Sequence, residues 1–146
     1  MIPEIILTEA FSWIGTPFEH GQCCKGAGVD CGQFLRGVFQ NVGAIPEIQV
    51  QYYPRDFMQH RDEEWYQEWI LKFGYEIPGP PKRGDIVLYR QGRLYSHGGI
   101  VTDWPKIIHA YVSTGVLEMD SEIFAFTRDR PRKFFRPLIY GPYDPA

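Results

Sequence analysis

A chain of 146 residues has the length of one domain and should bury roughly 68–70% of the surface that its unfolded form exposes. Hydrophobic residues make up 44% and aromatic ones 16%, inside the globular range, and no apolar run approaches the ~20 residues a membrane helix requires, so neither a disordered nor a membrane-inserted chain is expected. A net charge of -3 and a pI near 5.8 exclude the basic field that nucleic-acid binding needs, which leaves Arg128, Arg130, Arg132, Lys133 and Arg136 to be read as a solvated face.

The opening Met1-Ile2-Pro3-Glu4 lacks the basic stretch and apolar run of a secretory signal, so the expectation is synthesis in the cytoplasm without export by that route. Three cysteines, an odd number, argue for free thiols over a disulfide framework. Ile2, Ile6, Ala10, Trp13 and Ile14, with Pro3 near the start and Gly15 behind, predict a first helix over about 3–14. Pro17 with Gly21, Gly26 and Gly28 predicts a loop over 16–30. From Cys31 the apolar positions Phe34, Leu35, Val38, Phe39 and Val42 follow a helical period, with Asp30 as N-cap and Gly43 as stop. Asp62-Glu63-Glu64 predicts the start of a third helix running through Trp65, Trp69, Ile70 and Phe73 to Gly74, and its aromatic residues read as core.

After Pro78, Pro80 and Pro81 the period changes. Residues 85–89, 97–101, 107–112 and 116–119 are short β-branched runs between turn signals, with 134–136 as a further candidate. Helices first and strands after is the α+β order, here in a single domain over 1–146.

Cys31 stands in the first turn of a helix, one of the few places that lower a thiol pKa and point backbone N–H groups at a developing oxyanion. Position alone does not separate a nucleophile from a buried structural cysteine. A nucleophile needs a base, and His97 lies just inside a strand where the sheet would fix it. A turn centred on Trp104 pairs Gly99 with His109, leaving His97 diagonal to His109 at about 7–8 Å between backbones, which two imidazoles span. His109 would then orient the His97 ring and fix its tautomer.

Five segments, Trp13-Ile14-Gly15-Thr16-Pro17-Phe18, Val29-Asp30-Cys31-Gly32, Gly84-Asp85-Ile86, Ser96-His97-Gly98-Gly99-Ile100 and Ile108-His109-Ala110, resemble in order and spacing the motifs of the NlpC family of papain-like cysteine peptidases. They are similar in particular to its phage-encoded branch of tail-associated cell-wall enzymes. The resemblance implies a papain-like α+β fold, with the nucleophile at a helix start packed on an antiparallel sheet. It implies a triad of Cys31, His97 and His109, cleavage of peptidoglycan peptide stems beside D-glutamate, and no metal or cofactor. Asp30 and Ser96 match positions that hold the substrate's amine or polar groups. Phe18 stands where the family has a Tyr lining the oxyanion side, so His20 or Gln22 would have to replace that phenol or the site does without it, and Gly32 stands where the family has a Ser. Phage tail-tip proteins are the implied partners. A metal site of His20, Cys23, Cys24 and Cys31 competes, but adjacent cysteines do not match zinc spacing. A non-catalytic tail component and a papain-like amidase or acyltransferase are the remaining alternatives.

Overall fold

The computed structural model describes residues 2–45 and 65–140. Its helices are α1 (Ile2–Phe11), α2 (Cys31–Asn41) and α3 (Trp65–Leu71). A short hairpin pairs β1 (Cys23–Cys24) with β2 (Gly28–Val29). The remaining strands are β3 (Gly74–Ile77), β4 (Ile86–Gln91), β5 (Leu94–Val101), β6 (Lys106–Tyr111), β7 (Gly115–Asp120) and β8 (Arg132–Pro137), followed by one 3-10 turn, Leu138–Tyr140. They form an antiparallel sheet in the order β3-β8-β4-β5-β6-β7. Helices before an antiparallel sheet is the α+β architecture that the residue pattern predicts.

Helix α2 forms where the apolar period and the caps agree. Asp30 is extended, and its Oδ1 accepts from the Gln33 N–H at 2.9 Å, satisfying one of the orphan donors of the first turn. At the other end the chain leaves through Gly43 at φ 78, a left-handed conformation that glycine adopts without strain. Phe34, Leu35, Val38 and Phe39 are buried along one side, in one core with Ile6, Leu7, Ala10 and Trp13 and with Ile86, Leu88, Ile100, Ile108 and Ala110 of the sheet. Each such side chain contributes about 1.5–3 kcal/mol through burial. Gly98 allows the close approach, because a Cβ there would meet Leu35 Cδ1 at 2.9 Å and Leu88 Cδ2 at 3.0 Å. The helix that begins at Cys31 therefore lies directly on the strand that carries His97.

Side chains alternate along the strands, so the residues between these core positions face the other way. Val87, Tyr89, Val101 and Ile107 make a second apolar cluster there with Trp104 and Phe134. The β5–β6 register is Ile100↔Ile108 and Val101↔Ile107, the register that a turn centred on Trp104 demands. His97 and His109 share this second face. The 15–18 segment is clipped to the start of β7: Gly15 N–H donates to the Val116 carbonyl at 3.0 Å, and Val116 N–H to the Thr16 carbonyl at 2.9 Å.

Several expectations change. Helix α1 ends at Phe11, not at 14, because the bonds from Trp13 N–H to the Ala10 carbonyl and from Ile14 N–H to the Phe11 carbonyl tighten the chain into turns. The predicted 16–30 loop contains the β1–β2 hairpin. Strand β3 follows α3 directly, since a Gly74 Cβ would come within 2.8 Å of the Arg136 carbonyl. The predicted start of the third helix at 62–64 lies outside the described residues, as does the aromatic stretch before Trp65. The basic run is not a solvated face throughout. Arg136 pairs with the fully buried Asp85, Nε to Oδ1 at 3.0 Å and Nη2 to Oδ2 at 2.8 Å. Arg132 bonds the carbonyls of Arg130, Thr127 and Arg128 together with Glu122, and Lys133 Nζ donates to Gln67 Oε1 at 2.8 Å.

Candidate active site

Cys31, the first residue of α2, rests against β5. Its Sγ lies 3.7 Å from the Ser96 carbonyl and 3.0 Å from the Tyr66 hydroxyl, which α3 delivers. Gly32 makes room for that phenol, because a Cβ at residue 32 would run into the Tyr66 hydroxyl. Tyr66 thus places a polar group beside the thiol. Phe18 is half-buried against the core and bridges to Val29.

Burial, and next the Asp30 carboxylate, push the Cys31 thiol up to about 11, with Tyr66 and the backbone at Gly98 and Gly32 acting the other way. This reverses the expectation of a depressed value. Two pH units correspond to about 2.7 kcal/mol, whereas an exposed helix terminus supplies about 0.3–1 kcal/mol, so desolvation wins over the dipole. At neutral pH Cys31 is therefore a neutral thiol.

His97 Nε2 and His109 Nδ1 are 2.7 Å apart, with ring centroids at 4.9 Å. The two histidines meet as the strand register predicts. Both are buried, His97 beside Phe126 and Tyr111, His109 beside Phe124 and Tyr111. Burial holds the His97 pKa well below 6.5, reinforced by charge on His109, and burial takes His109 down to about 4. At neutral pH the pair is uncharged. No hydrogen bond joins Cys31 Sγ to the His97 ring among the described residues. The thiol instead rests on the backbone of the Ser96–Gly98 stretch, from which that ring projects. In unliganded enzymes catalytic hydrogen bonds are commonly long and tighten when substrate binds.

Asp30 and Ser96 flank these residues, each hydrogen-bonded within the fold. Asp30 caps α2 and its Oδ2 accepts from Gly21 N–H at 2.7 Å, while the buried Ser96 donates to the Leu94 carbonyl at 3.4 Å. All three cysteines are free. Cys23 Sγ donates to the Gln33 carbonyl at 3.2 Å and Cys24 is exposed. Among the described residues no three His, Cys, Asp or Glu side chains converge as metal ligands, and no helix is long and apolar enough to cross a membrane.

Two residues in contact with the candidate site escape the sequence analysis. Tyr66 lies within an aromatic run that reads as core, and only its polar tip beside the glycine that follows Cys31 hints otherwise. The other is Met119, whose Sδ stands 3.0 Å from His109 Nε2. Its signal lies in the β6–β7 register, His109↔Leu117, which places Met119 diagonal to His109 on the same face.

The NlpC/P60 family model matches residues 15–125. Among solved structures, the chain is similar to the NlpC/p60 domain of the peptidoglycan hydrolase SagA, with a TM-score of 0.62, 22% identity, and coverage of 90% of this chain and 96% of that one. It is similar also to the peptidoglycan hydrolase RipB from Mycobacterium tuberculosis, with a TM-score of 0.62, 19% identity, and coverage of 92% and 63%. An NlpC/P60 family protein from Bacillus cereus matches with a TM-score of 0.63, 15% identity, and coverage of 90% and 39%. The chain thus spans nearly all of the first but under two thirds of the other two. At these identities the likeness is one of fold. No curated protein sequence matches the chain.

Proposed function

This chain belongs to the NlpC/P60 family, and from that premise we propose that it is a cysteine peptidase that hydrolyses the peptide stems of bacterial peptidoglycan, with Cys31 as nucleophile, His97 as base and His109 as the residue that orients it. The observation that carries the reading is the 2.7 Å contact between two buried, neutral histidines on the strands beside the helix that starts at Cys31. A hydrogen-bonded imidazole pair kept uncharged is able to accept a proton. A solvated pair would already hold part of one below pH 6.5.

In the proposed reaction His97 takes the proton from the Cys31 thiol as Sγ attacks the scissile carbonyl carbon. The negative charge that forms on the carbonyl oxygen is stabilised by N–H groups at the start of α2 and by the Tyr66 hydroxyl. The C–N bond breaks, the leaving amine receives the proton from His97, and the carbonyl remains on Cys31 as a thioester. Water, deprotonated by His97, then releases the carboxylate and restores the thiol. A neutral resting dyad means that the thiolate forms only as attack proceeds, so the proton transfer is part of the barrier.

The bond beside D-glutamate and a phage tail as the carrier belong to the same proposal. Both are supported by the five-motif resemblance, with peptidoglycan stems and tail-tip proteins as the partners it implies. Mass spectrometry of purified muropeptides before and after incubation tests the reaction. New stem fragments that are absent with Cys31→Ala are expected, and an unchanged muropeptide profile would refute it. Quantitative proteomics tests the carrier: the chain should be present in intact virions, and its absence from them with abundance in the soluble lysate would rule out the tail.

A further inference from the structure

A neutral histidine pair that shares one hydrogen bond has two proton arrangements, and only one of them is useful. If His109 Nδ1 carries the proton, it donates to His97 Nε2, and His97 must then carry its own proton on Nδ1. If His109 Nε2 carries it, His97 Nε2 is the donor and His97 Nδ1 is left with a lone pair. Nδ1 is the ring nitrogen nearer the histidine's own backbone, the stretch on which Cys31 rests. The second arrangement alone leaves His97 a lone pair that His109 does not already engage.

The choice is made one strand further out. His109 Nε2 faces Met119 Sδ at 3.0 Å, and a thioether accepts but never donates, so this contact is a hydrogen bond only when Nε2 bears the proton. Carboxylates in that place would make the same selection, but they would also favour a charged ring, whereas sulfur leaves the ring neutral. Phe124 and Tyr111 pack on the His109 ring, and His109 has no exposed surface, so bulk water is shut out as a competing partner.

We propose that Met119 is a positioning residue that sets the tautomer of both histidines, so that protons on His109 Nε2 and His97 Nε2 leave His97 Nδ1 bare for the thiol. The diagonal contacts His97–His109 and His109–Met119 repeat one geometry across β5, β6 and β7. The proposal rests on His97 being the base, yet its test reads nitrogen protonation directly and does not require turnover.

The test is 15N NMR of the histidine side chains in the full chain, in the wild type and Met119→Leu. Leucine keeps the volume and removes the acceptor. At pH 7 the wild type should show a protonated Nε2 and a bare Nδ1 on both rings. In Met119→Leu, where nothing selects the tautomer, the bare-Nδ1 fraction of His97 should fall to about half. If turnover is found, kcat should fall by the same factor of about two with KM unchanged. Protonated His97 Nδ1 in the wild type, or an identical pattern in Met119→Leu, would overturn the proposal. A muropeptide digest without products would overturn the peptidase reading and leave the tautomer result standing.

Discussion

Two polar pairs are built around buried side chains of the same six-stranded sheet, and they meet the cost of desolvation in opposite ways. Asp85 and Arg136 are a charged pair: the carboxylate is fully buried, takes two bonds from the guanidinium and a third from Lys82 N–H, and ties β8 to the start of β4. His97 and His109 give up charge and share one hydrogen bond. A charged pair held by two bonds fixes its geometry strongly. The neutral pair shares a single bond, and in the proposed reading it serves proton transfer while the charged pair supports the sheet.

The sharpest way to break this comparison is to substitute one member of each pair without changing its volume much. His97→Gln should lower kcat/KM by about a thousandfold or more, since an amide is no base, while its urea midpoint stays near that of the wild type. Arg136→Met should do the reverse. It leaves Asp85 buried without its cation and should cost about 3–5 kcal/mol, visible as a large fall in the midpoint. Loss of stability of that size in His97→Gln with activity retained would erase the distinction.

Acid sharpens it next. Both histidines have depressed values in the fold, so below pH 6.5 the unfolded chain binds protons that the folded chain refuses. Their contribution is fully present above pH 6.5 and is lost as pH falls, for His109 toward about 4. Between pH 6.5 and 5 the His109 share amounts to about 2 kcal/mol. In His109→Asn the slope of stability against pH over this range should be shallower, and an unchanged slope would mean that the ring titrates normally.

The smallest effect belongs to the thiol side. Tyr66→Phe should lower kcat about tenfold, by roughly 1.4 kcal/mol, and leave the fold intact. Gly32→Ser should mimic it by displacing the phenol, and the double variant should lose no more than either single one. Additive losses would show that the two residues act separately.

How far the sequence carries these conclusions depends on distance along the chain. Helix α2, its Asp30 cap and the meeting of His97 with His109 follow from local period and from the register across one short turn, both of which are written in neighbouring residues. Tyr66 reaches Cys31 across 35 residues, and Arg136 reaches Asp85 across 51, and no period links such positions. The basic run shows its sign in the sequence but not its partners. The direction of the Cys31 shift is not legible in the sequence, because the helix start is visible locally while the depth of burial is set by packing from β5 and α3.

The central claim is that Cys31 is the nucleophile and His97 its base. It is tested most directly by incubating the wild type and His97→Gln with a stem peptide ending in a vinyl sulfone and mapping the adduct by tandem mass spectrometry. One adduct on Cys31 in the wild type, formed much more slowly in His97→Gln, is the predicted result. Labelling of Cys23 or Cys24 instead, or equal rates in the two proteins, would contradict it.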